Sequence, residues 1–194
     1  MATVDRNLSE YNKDLIPDGS QFKIGIVISE WNSQITENLA KGAIDTLITN
    51  QVKSDNINVR YVPGTFELPL GAQYLCEYLD LDGVIAIGTV IQGETKHFDY
   101  VCEGATKGLT DVNLKYNIPV SFCVLTDNNI QQSIERSGGK HGNKGVECAV
   151  ACLKMIALKN QYWRFHLVWM MAQCADTLHV FTLRNLPNKY PNLR

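Results

Sequence analysis

The chain predicts an α/β fold, a three-layer sandwich in which a four-stranded parallel sheet is covered by helices on both faces. Four short runs of β-branched and aliphatic residues recur along the sequence, and longer segments with helical apolar spacing fill the gaps between them. The runs are apolar on consecutive or alternating positions, as strands buried inside an α/β sandwich read. A repeated strand, helix, strand order then implies parallel pairing with right-handed crossovers.

The elements follow in order. Residues 1–21 carry no sustained apolar pattern and form an N-terminal arm. Residues 22–29 (FKIGIVIS) are the first strand, and residues 32–51 form a helix whose apolar series is Ile35, Leu39, Ala43 and Leu47. Residues 57–62 (INVRYV) are the second strand, and a helix over 67–79 follows the break at Pro63-Gly64. Residues 83–87 (GVIAI) make the third strand, followed by a helix over 94–116 with Phe98, Val101, Ala105, Leu109 and Val112 on one face. Residues 120–125 (VSFCVL) close the sheet, and a last core helix over 143–158 carries Val146, Ala149, Val150, Leu153 and Ile156. In the remaining residues, 159–194, Tyr162, Phe165, Leu167, Val168 and Met171 fit an amphipathic helix, and 185–194 reads as an unstructured end. The domain organisation is therefore an arm (1–21), one domain (22–158) and a C-terminal extension (159–194).

Composition narrows the function classes. The chain has 194 residues, enough for one domain with a sizeable core. Eighteen basic against twenty acidic residues give a formal charge of −2 without a block of like charges, so neither nucleic acid nor an anionic membrane is an expected partner. The N-terminus lacks an apolar signal core and no run reaches the roughly 18 apolar residues of a membrane span, so a cytoplasmic location is expected. Six cysteines, Cys76, Cys102, Cys123, Cys148, Cys152 and Cys174, sit in apolar patterns without C-x-x-C spacing, which suits core thiols in a reducing compartment. Cys148 and Cys152 share a helical face, but no further ligands for a metal can be placed.

The chemistry concentrates between residues 88 and 98 (GTVIQGETKHF), where a strand turns into a helix. Gly88 and Gly93 permit a close-approaching backbone, and the free amides of a helix starting near Glu94 or Thr95 attract phosphate. His97 in the first helical turn meets the positive end of the helix dipole, which disfavours the imidazolium and suits a general acid/base near pH 7. The alternative is a turn with a surface histidine. A second segment, 135–147 (ERSGGKHGNKGVE), sets Arg136, Lys140 and Lys144 among four glycines ahead of another helix and suits a phosphorylated small molecule. Neither segment has the spacing of a P-loop or a dinucleotide fingerprint.

In parallel sheets ligands collect beyond the carboxyl ends of the strands, which selects residues 29–32, 63–67, 88–97 and 125–128 as the rim. Trp31 fits either a stacking plane for a flat heterocycle or a lid on the core. Glu67 fits either an acceptor for sugar-like hydroxyls or an acidic residue favoured in a first helical turn. Phe122, alternating with Val120 and Val124, reads as core by pattern alone.

At these residues the sequence resembles the lumazine synthases. The resemblance runs from about residue 22 to 158 through Trp31-Asn32, VPGTFELP (62–69), GTVIQGETKHFDYV (88–101), IPVSFCVLT (118–126) and ERSGGKHGNKG (135–145). It implies a flavodoxin-like sandwich whose N-terminal arm adds to a neighbouring subunit's sheet. It also implies the condensation of 5-amino-6-ribitylaminouracil with 3,4-dihydroxy-2-butanone 4-phosphate to 6,7-dimethyl-8-ribityllumazine, the penultimate step of riboflavin biosynthesis, with neither metal nor organic cofactor. Expected partners are the two small-molecule substrates, further copies in homopentamers that some members assemble into an icosahedral shell, and riboflavin synthase.

By the same resemblance, Trp31 stacks on the pyrimidine and Phe122 closes the pocket from the neighbouring subunit. Glu67 grips ribityl hydroxyls with backbone groups of Gly64 and Thr65, and Val90 and Ile91 meet the uracil edge. Gly93, Glu94 and Thr95 form the phosphate-binding turn, Arg136 clamps the phosphate, His97 relays protons, Lys144 lines the pocket and Glu147 pairs with the arginine. Gln92 stands where many members carry arginine or lysine, which places more of the phosphate binding on Arg136. A flavin-holding protein would keep Trp31 and Phe122 without needing His97 and Arg136, and a pure shell protein would need none of the four.

Overall fold

The computed structural model describes residues 7–184, with side chains described to residue 163 and at Phe165. Its central sheet has four strands, β1 (Ile24–Ser29), β2 (Ile57–Val62), β3 (Gly83–Ile91) and β4 (Val120–Asp127), in the order β2-β1-β3-β4 with every pair parallel. Helices α1 (Ser33–Thr49), α2 (Leu68–Tyr78), α3 (His97–Tyr116), α4 (Ile130–Arg136) and α5 (Lys144–Arg184) complete the described chain, with a two-residue-wide hairpin of β5 (Ser137–Gly139) and β6 (Gly142–Asn143). The expected parallel sandwich is thus the observed one.

The side-chain alternation of each strand divides the core in two. Ile24, Ile26, Ile28, Ile85, Ile87, Cys123 and Leu125 face α1 and α5, meeting Ile35, Leu39, Leu47, Leu153 and Ile156. Val27, Val84, Ala86, Val120 and Val124 face the other way, onto Leu68, Ala72 and Leu75 of α2 and Leu109 and Val112 of α3. β1 is fully buried along its length, whereas β2 at the sheet edge is half exposed, which is why only β1 reads as a continuous apolar run.

Several boundaries differ from the sequence reading: β1 begins at Ile24, β4 ends at Asp127 and α5 runs past residue 158. β3 continues through residues 88–91, which the glycine suggested were turn, because Gly88 serves close packing rather than a bend. A Cβ there would lie 2.8 Å from both Leu68 Cδ1 and Thr65 Oγ1. α3 begins at His97, with Lys96 as its N-cap, rather than at residue 94 or 95. α4 was not foreseen: it spans only seven residues, although the Asn129 side chain caps it by accepting the Gln132 amide at 3.1 Å.

Where it is described, the start of the arm bonds to the β5-β6 hairpin: the Leu8 amide donates to the His141 carbonyl at 2.8 Å, and the Asn143 amide donates to Ser9 Oγ at 2.9 Å. The glycines of β5 and β6 permit that hairpin, since Gly138 and Gly142 have φ of 122° and 81°. The chain divides into two compact units, Met1–Ile156 and Ala157–Arg194. In the second the helix continues to Arg184, and Tyr162, Trp163 and Phe165 are 70%, 61% and 72% exposed. The expectations for the side chains of Leu167, Val168 and Met171, and for residues 185–194, lie outside the described residues. Among the described residues no helix is long and apolar enough to cross a membrane.

Cys123, Cys148 and Cys152 behave as core side chains, as the sequence pattern suggested. All three are buried, and the Cys148 thiol points at the Phe122 carbonyl, 3.5 Å away. Burial pushes the Cys152 thiol up to about 12, and a hydrogen bond with Cys148, added to burial, raises Cys123 well above its ordinary value. At pH 8 iodoacetamide should leave Cys152 unmodified in the folded protein and label it once urea unfolds the chain, read by peptide mass spectrometry, because the thiolate is the reacting form. Rapid native labelling of Cys152 would contradict this packing. Gly88→Val should destabilise the protein by about 1–3 kcal/mol through overpacking against Thr65 and Leu68. Gly93→Ala, where no atom lies within 4 Å of an added Cβ, should stay within about 0.5 kcal/mol of the parent, with urea titration of both variants as the measurement.

Candidate active site

The carboxyl ends of β1, β2 and β3 supply the walls of a cleft of about 590 Å³, within the range of small-molecule sites. From β1 comes Trp31, 71% exposed, followed by Asn32 in the left-handed conformation (φ 59°), which lets the chain reverse into α1. Such exposure rules out the lid-on-the-core role in this chain and leaves a free indole face at the cleft.

From β2 the chain passes through Gly64 into a single turn of 3-10 helix, Thr65–Glu67, before α2. Thr65 is buried, and its hydroxyl donates to the Thr89 carbonyl of β3 at 3.2 Å. This bond ties the turn to the neighbouring strand. Glu67 follows with its side chain exposed at the cleft wall, its Oε2 folded back towards Gly64.

From β3, Val90 and Ile91 form the half-buried floor, and the chain then leaves the sheet through Gln92, whose amide donates to the Asp127 carbonyl at 2.9 Å. Gly93 and Thr95 line the cleft, and the His97 amide contacts Thr95 Oγ at 3.4 Å. His97 is the first residue of α3, exposed, with its imidazole at the positive end of that helix. Phe66, Thr89, Phe98, Tyr100 and Val101 also line the cleft, none of them singled out by sequence. Their signal was present only as the spacing of Phe98 and Val101 on one helix face, which reads equally well as core.

Ten sequence-derived positions therefore meet on one rim: Trp31, Gly64, Thr65, Glu67, Val90, Ile91, Gly93, Thr95 and His97 line the cleft, with Glu94 beside them on the same loop and not on its wall. Phe122, Arg136, Lys144 and Glu147 do not line it. Phe122, half-buried on β4, lines a second hollow of about 510 Å³ with Phe98, Cys102, Glu103, Thr106, Lys107, Thr126 and Asn128.

Arg136, the last residue of α4, donates from Nη1 to the Gln132 carbonyl at 3.0 Å and lies 3.8 Å from Asp127 Oδ1. Lys144 donates to Glu147 Oε1 at 2.9 Å. Burial works against the Lys144 ammonium, yet that bond and the neighbouring Cys148 outweigh it and leave its pKa raised. Within this chain the carboxylate beside Arg136 is Asp127, while Glu147 is engaged by Lys144.

What the cleft can do follows from its parts: an indole face for stacking, strand edges for an amide-bearing ring, a carboxylate for hydroxyls and an exposed imidazole for proton transfer. Among the described residues no group of three or more His, Cys, Asp or Glu side chains is placed to hold a metal ion.

The profile of the 6,7-dimethyl-8-ribityllumazine synthase family matches residues 21–160. The 6,7-dimethyl-8-ribityllumazine synthase of Flavobacterium johnsoniae is 56% identical over 161 residues, covering 83% of this chain and 85% of its own. That of Christiangramia forsetii is 55% identical over 82% of this chain and 95% of its own, and that of Porphyromonas gingivalis 53% over 82% and 99%. Every cleft residue lies inside the matched span, and the chain belongs to the 6,7-dimethyl-8-ribityllumazine synthase family.

Proposed function

We propose that this protein condenses 5-amino-6-ribitylaminouracil with 3,4-dihydroxy-2-butanone 4-phosphate, releasing phosphate and water and forming 6,7-dimethyl-8-ribityllumazine for riboflavin biosynthesis. The observation that carries this reading is the meeting of Trp31, Glu67 and His97 around the Val90–Ile91 strand end in one cleft, in a chain of that family. The uracil ring lies on the indole with its edge against the backbone of Val90 and Ile91. Glu67, with Gly64 and Thr65, accepts the ribityl hydroxyls. The phosphate sits at the Gly93-Glu94-Thr95 loop, where the amide ends of α3 and the guanidinium of Arg136 draw it in.

His97 moves protons during imine formation, loss of phosphate, ring closure and dehydration. Its contribution is moderate, since one positioned acid/base supplies about 10²- to 10⁴-fold and holding two substrates together supplies much of the rest.

The site is completed by a second copy of the chain. Supporting this, Phe122 and Arg136 lie outside the cleft that holds His97, and large apolar side chains stand exposed around α2 and α3: Phe66, Leu70, Tyr74, Tyr78, Tyr100 and Leu114 are each more than half exposed. A neighbour's Phe122, Arg136 and Lys144, the last paired with Glu147, then face the His97 cleft, and a ring of such head-to-tail contacts closes as a homopentamer. Icosahedral assembly of pentamers, a cytoplasmic location and hand-over of product to riboflavin synthase extend the same reading.

Incubating the purified protein with both substrates should give the absorbance of the lumazine. Bound ligand without product would favour a binding protein instead. His97→Ala should lower kcat by about 10²- to 10⁴-fold while substrate KM changes little, because the imidazole acts mainly in the transition state. Dissociating and reassembling a mixture of His97→Ala and Arg136→Ala chains should give more activity than either variant alone, since some interfaces then pair two intact halves. Activity no higher than the better parent would place the whole site within one chain.

A further inference from the structure

We propose that Asp127, held by Ser133, positions the guanidinium of Arg136 for the phosphorylated substrate. This rests on the function proposed above and adds positioning residues to it.

Asp127 ends β4 and is 7% exposed. Its Oδ2 accepts the Ser133 hydroxyl at 2.8 Å, and its Oδ1 lies 3.8 Å from Arg136 Nη1. Ser133 is fully buried on α4, and its oxygen is 3.3 Å from Thr89 Oγ. Because the Ser133 proton is directed to the carboxylate, the Thr89 hydroxyl is left to donate to Ser133. The Thr89 carbonyl in turn accepts from Thr65 in the substrate cleft. Polar contacts thus run from Thr65 through the Thr89 backbone and hydroxyl and Ser133 to Asp127, where Arg136 approaches the other carboxylate oxygen as an ion pair. These groups are satisfied: among the described residues no buried side-chain nitrogen or oxygen lacks a partner. Fully satisfied buried networks rigidify what they hold.

An arginine on a seven-residue helix needs such a hold. Its side chain is 36% exposed, and an unheld arginine side chain loses rotamer entropy when a ligand fixes it. The Gln132 carbonyl and Asp127 both engage Nη1, on one edge of the fork, which leaves the remaining N–H groups for a phosphate. Asp127 also accepts the Gln92 amide through its backbone carbonyl, so the same residue anchors the start of the Gly93-Glu94-Thr95 loop. With Gln92 rather than a cation on that loop, the placement of Arg136 carries more weight.

The sign of the effect separates positioning from simple charge. A carboxylate acting only as a nearby negative charge would weaken phosphate binding, so its removal would tighten it. A positioning carboxylate does the reverse.

Asp127→Asn keeps the side-chain shape, an acceptor for Ser133 and the backbone link to Gln92. It should raise KM for 3,4-dihydroxy-2-butanone 4-phosphate and the inhibition constant of inorganic phosphate by about tenfold, the scale expected when a guanidinium loses an ion-pair partner that is itself buried. KM for 5-amino-6-ribitylaminouracil should stay within about twofold, which a merely structural defect would not spare. Unchanged or tighter phosphate inhibition in folded Asp127→Asn overturns the proposal. Should that variant fail to fold, Ser133→Ala decides, because it removes only the hydroxyl: a smaller rise in the same two constants supports positioning, and none refutes it. Arg136→Lys is the control. If it too leaves phosphate inhibition unchanged, the assigned phosphate site itself is wrong; if it weakens inhibition and Asp127→Asn does not, only the positioning role falls.

Discussion

Thr65 rests against the bare backbone of Gly88, and the cleft depends on that approach. Any side chain at residue 88 would push into Thr65 and Leu68, and the Thr65 hydroxyl would lose the Thr89 carbonyl it now reaches at 3.2 Å. With the approach in place, the 3-10 turn carrying Glu67 is locked beside the strand carrying Val90 and Ile91. A neutral buried hydrogen bond contributes only about 0.5–1.5 kcal/mol, but its geometric effect is larger. It sets the spacing between the carboxylate wall and the strand-edge floor, and a ligand gripped by both requires that spacing to be constant.

The sheet then distributes chemistry by register. Ile91 pairs with Asp127, and Val90 with Thr126, so the floor of the cleft on β3 sits directly beside the residues that support α4. Trp31, Glu67 and His97 gather on the β1, β2 and β3 side. The cationic side chain lies past β4, held from behind by a buried carboxylate. Within one chain the cleft and the Arg136 side chain are thus two separate regions beyond the sheet, and the polar groups from Thr65 to Asp127 link them through the protein interior.

α5 has two characters within one run of helix. To residue 156 its apolar side chains, Ala149, Cys152, Leu153 and Ile156, are buried against the sheet. Beyond that point the described aromatics are exposed, and the family match ends at residue 160. Among the described residues the buried core runs from Phe22 to Ile156, with partly buried Ile16 packed against it.

The sequence alone determined the class of fold and most of the rim. Strands buried on both faces must be nearly continuous in apolar residues, an edge strand alternates, and amphipathic helices must repeat every three or four positions, so the continuous run at 24–29, the alternating run at 57–62 and the helices over 33–49 and 68–78 were visible as pattern. The rule that ligands gather at carboxyl strand ends then pointed to Trp31, Glu67 and His97 before any coordinates. Tertiary structure decided what one-dimensional pattern cannot express. Gly88 looks like a turn residue until the atoms that crowd it are known, and Asp127 looks like a solvated loop carboxylate until its burial and its partners are seen. The separation of Phe122 on β4 and of Arg136 at the end of α4 from the His97 cleft is likewise set by where those two elements lie in the fold. Periodicity records the neighbours a residue has along the chain, whereas burial, pairing and direction are set by segments that meet only on folding.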